Sequence, residues 1–323
     1  MKKILIITNS LDNECDSIIR HLKKDQTEFF RLQTNELHTN YSIDLSYAPS
    51  HFLIKHRKTR HSIMSSEVGA VWWSHTSMPG EANELFEPHL REFIDEEYYS
   101  SLIALLAILD ANIPVINHPV KHLIAGHKSY QQRIANQVGF QLPNQLITNN
   151  GDLFLNQHWS KSAVYKPISN SQYISNNKKS YFATVKEINK SLAKRIQNKE
   201  IELYIHHFQE KIDALEEYRI TVFGDHVMAF RVEGSRGFDW RIYINELKYR
   251  PFINEELTTL CRKYMAQMGI LFGCFDIILG KDEQYYFIEC NAPGYFLFLD
   301  PAGRYGLAKR FAQYLRTIFM SSI

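Results

Sequence analysis

Residues 272–300 read FGCFDIILGKDEQYYFIECNAPGYFLFLD. Its β-branched and aromatic residues predict two strands, over 272–279 and 284–290, joined by a turn at Gly280-Lys281-Asp282-Glu283. Glu289 and Asn291 are two positions apart, so on an extended segment both point to one face. Asp276 can reach that face from the neighbouring strand, because cross-strand partners lie close together. Two carboxylates and an amide carbonyl, with no His or thiolate among them, suit Mg²⁺ rather than zinc. Cys290 alternates to the opposite face, where packing is its expected role. The same residues also describe a surface hairpin carrying ordinary acids, held by Phe272, Phe275, Ile277, Tyr286, Phe287 and Ile288. The rest of the chain has to separate the two.

With 323 residues there is room for two or three domains and an ample core. A 45% hydrophobic, 22% charged composition is that of a globular protein, and a net charge of +2 gives no warrant for nucleic-acid or membrane binding. Cys15, Cys261, Cys274 and Cys290 form no CxxC pair, so free thiols in a reducing compartment are expected. The apolar run at 4–7 is too short for a signal peptide and that at 102–109 too short for a membrane span, which points to the cytoplasm.

A strand at 3–8, a helix at 16–23 and a strand at 28–32 open the chain as a βαβ unit, implying a parallel Rossmann-like sheet. The connecting turn TNSLDNEC has no Gly-x-Gly-x-x-Gly, so no dinucleotide is expected there. Strands at 41–47, 52–55 and 68–73 follow, with the basic run at 55–61 read as a solvated turn or a docking point for an acidic peptide. Phe93, Tyr98, Leu102, Leu105, Leu106 and Leu109 give the 88–109 helix an apolar stripe. A short strand at 113–116 and the break Asn117-His118-Pro119 close a first domain, 1–117.

A second unit, 118–207, has helices at 120–125 and 129–138, strands at 145–148, 163–166, 181–185 and 202–208, and a helix at 186–197. The stretch 168–180 has no apolar periodicity and reads as a mobile loop. The third unit, 208–323, begins with strands at 218–223 and 226–232 around Gly224-Asp225, a hairpin signal. An amphipathic helix over 251–268, with Ile253, Leu257, Leu260, Tyr264 and Met268 on one stripe, precedes the opening hairpin, and a helix over 302–319 closes the chain.

In this order, the INHP break, Lys128, GFQLP, YKP, FQEKI, EEYRITVFGDHVMAFRV, FDWR, GCFD and IECNAPGYFLFLD resemble the ATP-grasp superfamily, and within it the peptide-macrocyclising ligases of the microviridin or graspetide type. The resemblance covers essentially the whole chain. It implies a mixed α/β and α+β architecture, the ATP-grasp fold behind an N-terminal Rossmann-like (pre-ATP-grasp) domain. On it, Lys128 and Lys166 hold phosphates of ATP; as isolated residues, either could equally be a surface lysine. Gln209, Glu210, Lys211 and Ile212 resemble the hinge whose backbone meets the adenine edge, and Asp213 or Glu210 takes the ribose hydroxyls. Asp276, Glu289 and Asn291 match the Mg²⁺ ligands. Arg219 and Arg241 match arginines near the reacting phosphoryl and acyl groups, where a guanidinium fork can hold an acyl phosphate at two points. Asp239 would orient Arg241 or approach the nucleophile. The alternative for Arg219 is a salt bridge to Glu216 or Glu217.

What the resemblance implies is an ATP-dependent ligase that activates Asp or Glu side chains of a ribosomal precursor peptide and closes ester or amide rings. Its partner is that peptide, a leader plus an acidic core containing Ser, Thr or Lys, with no nucleic acid and no membrane. A carboxylate–amine ligase for a small molecule or protein terminus would share the same ATP residues. A non-catalytic nucleotide-binding protein should have lost some of them. The resemblance also allows a homodimer through the 88–109 helix, and a buried core helix explains that stripe equally well. The chain departs from the resembled pattern at Ile168–Ser180, which lacks glycine. It departs again at Ala292-Pro293-Gly294-Tyr295-Phe296, where relatives commonly continue Pro-Asn-Gly-Gln-Trp, and at Trp72-Trp73-Ser74-His75, where relatives often carry two arginines.

Overall fold

The computed structural model describes residues 2–79, 86–168, 172–174, 180–182, 185–188, 190–197, 200–234 and 246–321. The first third is a parallel sheet of order β2-β1-β6-β7, built from β1 (Lys3–Thr8), β2 (Phe29–Gln33), β6 (Val68–Trp73) and β7 (Val115–Ile116). Helix α1 (Asn13–Lys24) crosses between β1 and β2, as the opening pattern predicts. Parallel strands covered on both faces read as continuous apolar runs, and β6 is buried along its whole length. A short α2 (Leu37–Asn40) leads to the meander β3 (Tyr41–Tyr47), β4 (Ser50–His56) and β5 (Ser62–Met64). That meander and α3 (Arg91–Ile108) share one core with Leu5, Ile7, Val71 and Trp73. The basic run is the β4–β5 turn, where Arg57 donates to the Tyr41 carbonyl at 2.7 Å. On α3, Leu102, Leu105 and Leu106 are buried, whereas Phe93 is exposed. The sequence stripe is therefore a core stripe only in its second half.

Two helices, α4 (Pro119–Gly126) and α5 (Lys128–Val138), follow the Asn117 break, and Gly139 ends α5 in the left-handed conformation that glycine adopts without strain. Next come β8 (Gln145–Thr148), α6 (Gly151–Leu155), β9 (Ala163–Lys166), β10 (Gln172–Ile174), β11 (Ser180–Phe182), β12 (Lys186–Glu187), α7 (Lys190–Gln197) and β13 (His206–Glu210). Strands β12-β9-β13-β8 form an antiparallel sheet over a small core of Phe154, Trp159, Ala163, Ile196 and Phe208. Within the stretch 168–180, expected to be a mobile loop, the described residues of β10 and the start of β11 pair antiparallel. Ladder bonds run between backbones, so a polar segment can form them without an apolar period.

The last sheet, fully antiparallel, has the order β16-β15-β14-β17-β18: β14 (Ala214–Phe223), β15 (His226–Glu233), β16 (Lys248–Phe252), β17 (Phe272–Gly280) and β18 (Tyr285–Asn291). The helix expected over 251–268 begins later, as α8 (Glu255–Met268), because Pro251 and Phe252 belong to β16. Pro251 is tolerated there since β16 is the edge strand, and Ile253, expected on the helix stripe, is 84% exposed. One face of the sheet carries Tyr218, Ile220, Phe275, Ile277 and Phe287 onto α5 and α8. The opposite face is divided. Phe223, Phe230 and Phe272 pack with α1, β1, β6 and the closing helix α9 (Leu307–Met320) in one continuous core, while Arg219 and Asp276 lie further along the same strands. All four cysteines are free, and no helix among the described residues is long and apolar enough to cross a membrane.

Candidate functional site

The register of β14, β17 and β18 places Arg219 opposite Asp276, Asp276 opposite Glu289, and Cys274 opposite Asn291. Asp276, Glu289, Asn291 and Arg219 therefore share one face, as the alternation predicts. A bulge follows immediately: Ile277 pairs with Phe287, so Ile288 is the extra residue on β18. Arg219 binds Asp276 at 2.9 Å, not Glu216, which Arg231 holds at the same distance. Asn291 Nδ2 donates to Glu289 Oε1 at 3.0 Å.

The lysines converge on this face from other elements. Lys128, the first residue of α5, donates to the Pro167 carbonyl just beyond β9. Lys166, at the end of β9, is pushed down to about 8 by burial and by Lys128, against the opposing pull of Glu289 and Asp276. Burial pushes the Asp276 carboxyl up to about 7 although Arg219 pulls it down. Burial acts the same way on Glu289, yet Lys166, the Asn291 amide, Lys128 and Arg219 together hold it below its ordinary value. Arg219 touches Asp276, and the two lysines lie near enough to the carboxylates to bias their ionisation in a half-buried setting.

The donor set fits a hard divalent cation. Glu289 is held ionised, and Asn291 turns its NH₂ to Glu289 and so leaves its amide oxygen as the outward acceptor. Asp276 is a buried carboxyl whose ionised form a cation would favour.

Three residues that sequence reasoning passed over build this arrangement. Gln131 on α5 is buried and pairs with β18 as another strand would: Nε2 donates to the Cys290 carbonyl at 2.9 Å and Oε1 accepts from the Cys290 amide at 3.0 Å. Gln132 donates to the Ile288 carbonyl at 3.0 Å. The free edge of β18 is thereby closed and Lys128, on the same helix, is fixed relative to Glu289. Asn117, from the INHP break, donates to the carbonyls of Phe272 (2.7 Å) and Ala292 (3.0 Å) and accepts from the amides of Leu271 and Phe272. The only sequence signal for the glutamines is their position on the apolar face of a helix, where an unpaired amide would be costly.

The expected hinge links β13 to β14. Among the described residues, Gln209, 2% exposed, has no hydrogen-bond partner for its Nε2; His207, two positions earlier on the same strand face, has an unpartnered Nδ1 and donates through Nε2 to Gln145 Oε1 at 3.0 Å. His207 pairs with Lys166 across the sheet, and burial, Lys166 and Lys128 lower it to about 4, so it is neutral. The amides of Glu210 and Lys211 donate to the carbonyls of Asn144 (2.7 Å) and Ser162 (2.8 Å), which commits those two backbone groups within the protein. The Glu210 carboxylate accepts from the Asn144 side chain at 2.7 Å, while Asp213 is largely exposed beside Lys281. Ile212 follows in the same segment. Asp239 and Arg241 lie outside the described residues.

Residues 3–122 match the family model of the MvdD pre-ATP grasp domain. No curated protein sequence matches the chain. Among solved structures, macrocyclase MdnC bound with precursor peptide MdnA from Microcystis aeruginosa MRC superposes with a TM-score of 0.84 at 22% identity, covering 98% of this chain and 99% of that one. A RiPP-associated ATP-grasp ligase of Chryseobacterium gregarium, in complex with ADP and a leader and core peptide, gives 0.83 at 20% identity over 100% and 98% of the two chains. The ATP-grasp ligase PsnB, complexed with minimal precursor, Mg and ADP, gives 0.73 at 17% identity over 98% and 97%.

Proposed function

We propose that this chain, an ATP-grasp fold preceded by an MvdD-type pre-ATP grasp domain, is an ATP-dependent ligase that crosslinks a ribosomally made precursor peptide. The observation that carries the reading is the convergence of Lys128, Lys166 and Arg219 on Asp276, Glu289 and Asn291 from α5, β9, β14, β17 and β18. MdnC and the Chryseobacterium ligase, which share the fold, were both captured with peptides, which supports a peptide as the partner here.

On this reading Lys128 and Lys166 bind the polyphosphate, and Asp276, Glu289 and Asn291 hold Mg²⁺. When bound, the cation neutralises phosphate charge and orients the transferred group. Gln209, Glu210, Lys211, Ile212 and Asp213 border the nucleoside, with Asp213 the better placed for ribose because Asn144 already engages Glu210. An Asp or Glu side chain of the peptide attacks the terminal phosphorus, ADP leaves, and an acyl phosphate forms on the peptide. A Ser or Thr hydroxyl, or a Lys amine, then attacks the acyl carbon; phosphate leaves, and the nucleophile's proton passes to solvent or to phosphate. Arg219, held by Asp276, and Arg241, with Asp239 beside it in sequence, stabilise the charge that develops on the phosphoryl and acyl oxygens. No covalent enzyme intermediate is needed, so the residues act by position and field. On this reading the chain divides into 1–117, 118–207 and 208–323, with ATP clamped between the second and third units.

Mass spectrometry tests this directly. The Asp/Glu- and Ser/Thr/Lys-containing peptide encoded beside the gene, incubated with enzyme, ATP and Mg²⁺, is expected to lose one water per ring. An unchanged peptide mass alongside turnover of a free amino acid would overturn the reading.

A further inference from the structure

Two of the three stretches where this chain departs from the pattern it resembles, that ending in Ser74-His75 and residues 292–296, lie more than two hundred positions apart and meet in the structure. The His75 ring, at the end of β6, lies flat on Tyr295, with centroids 3.7 Å apart and planes 2° apart. His75 Nε2 is 2.6 Å from the Pro293 carbonyl, to which it can only donate. Nδ1 faces Asp12 Oδ2 at 3.3 Å and Ser74 Oγ at 3.2 Å. Asp12 is itself immobilised: buried, it accepts from Thr8 Oγ1 (2.7 Å), Ser74 Oγ (2.9 Å) and the Cys15 amide (2.9 Å).

Neighbouring positions of the same segment are held from the same third of the chain. Asn117 takes the Ala292 carbonyl, and Glu14 accepts from the amides of Phe296 and Leu297. Residues 292, 293, 295, 296 and 297, which follow directly on Asn291, are thus fixed by β6, α1 and the break after β7. Tyr295 is nevertheless 53% exposed. A large aromatic ring pinned on one face and open on the other loses little conformational entropy when something binds to it, which is how rigid aromatic side chains serve recognition.

We propose that His75 is a positioning residue that sets the Tyr295 ring, in the segment following Asn291, as a fixed wall for the carboxylate-bearing peptide. The role in peptide recognition rests on the peptide-ligase reading; the positioning of the segment does not.

Two measurements separate these. Hydrogen exchange on the full chain without ligands should show faster exchange at the Gly294 amide, which donates to the Asn291 carbonyl within the segment His75 holds, in His75→Ala, by about tenfold for a lost hydrogen bond and stack, and a smaller increase in His75→Gln, which keeps a donor but not the ring. Steady-state kinetics with the peptide encoded beside the gene should show peptide KM raised about tenfold in Tyr295→Ala. The kcat and the affinity for Mg²⁺·ADP should stay within about twofold, and Tyr295→Phe should restore KM. Tyr295 is exposed enough for its alanine variant to fold even where His75→Ala does not. Unchanged exchange in His75→Ala would overturn the positioning role. Unchanged KM in Tyr295→Ala, or equal losses of KM, kcat and ADP affinity in Tyr295→Ala and Tyr295→Phe, would overturn the recognition role. If the wild type leaves the peptide unmodified, the ligase reading fails and the exchange result still decides the positioning.

Discussion

The strands that meet at the candidate site are finished differently. On β17 and β18 the charged groups near the site are paired within the protein, Asp276 with Arg219 and Glu289 with Asn291, and the outer edge of β18 is met by Gln131 and by Gln132, whose Oε1 alone is left buried without a partner there among the described residues. On β13, beside Lys166, His207 Nδ1 and Gln209 Nε2 are buried with no partner. The first region sits on the large core of α5 and α8, and the second on five buried residues. Buried polar groups without partners cost stability, and on the proposed reading a bound nucleotide would supply partners for those on β13. On that reading, the first side would hold the cation and the second would border the nucleotide.

That contrast can be broken most severely at Glu289. Glu289→Gln should lower peptide crosslinking at least about a hundredfold while nucleotide still binds, since one ligand of the cation loses its charge; full activity by mass spectrometry would mean that the metal ligands are wrongly assigned. Arg219→Ala leaves Asp276 buried without its partner. Denaturant unfolding should show a loss of about 3 kcal/mol, at the low end for a broken buried pair because Asp276 can protonate near neutral pH.

Glu14, which clamps residues 296 and 297, supplies a pH test. Burial raises its carboxyl from 4.5 to about 7 despite the two backbone amides it accepts from. The folded state therefore binds more protons than the unfolded state between those values. Glu14's contribution to stability falls as pH rises from about 4.5 to about 7 and is level above, an effect of order 3 kcal/mol. The difference in unfolding free energy between wild type and Glu14→Gln should follow that slope and flatten outside the window. The smallest effect is expected on the unpartnered side. Gln209→Leu should stabilise the ligand-free protein by about 1 kcal/mol by removing an unpaired amide, and weaken nucleotide binding measured by calorimetry. A destabilised variant would mean that β13 is as fully paired as β17 and β18.

Much of this molecule is written locally. The strands Lys3–Thr8, Tyr41–Tyr47, Val68–Trp73, Gln145–Thr148 and Ala163–Lys166 match the expected bounds residue for residue, because alternation, apolar runs and turn residues are properties of neighbours in sequence. The same local logic places Asp276, Glu289 and Asn291 on one face, since cross-strand partners in a tight hairpin are near in sequence as well as in space. It fails where the decisive partner is remote or no side-chain pattern is required. Pro251 lies in a strand only because that strand is at an edge, and the β10–β11 hairpin forms in a stretch with no apolar period.

Sequence by itself determined the parallel opening sheet, the hairpin and the oxygen-bearing side chains that its alternation brings to one face. Only the tertiary structure decided that Gln131 closes the edge of β18, that Arg219 pairs with Asp276 rather than Glu216, and that His75 lies under Tyr295. Side-chain amides, guanidinium groups and imidazoles can each satisfy many partners, so their residue type leaves the choice open. It is closed when packing fixes which backbone edge or ring comes within three to four ångströms, roughly hydrogen-bonding or stacking distance.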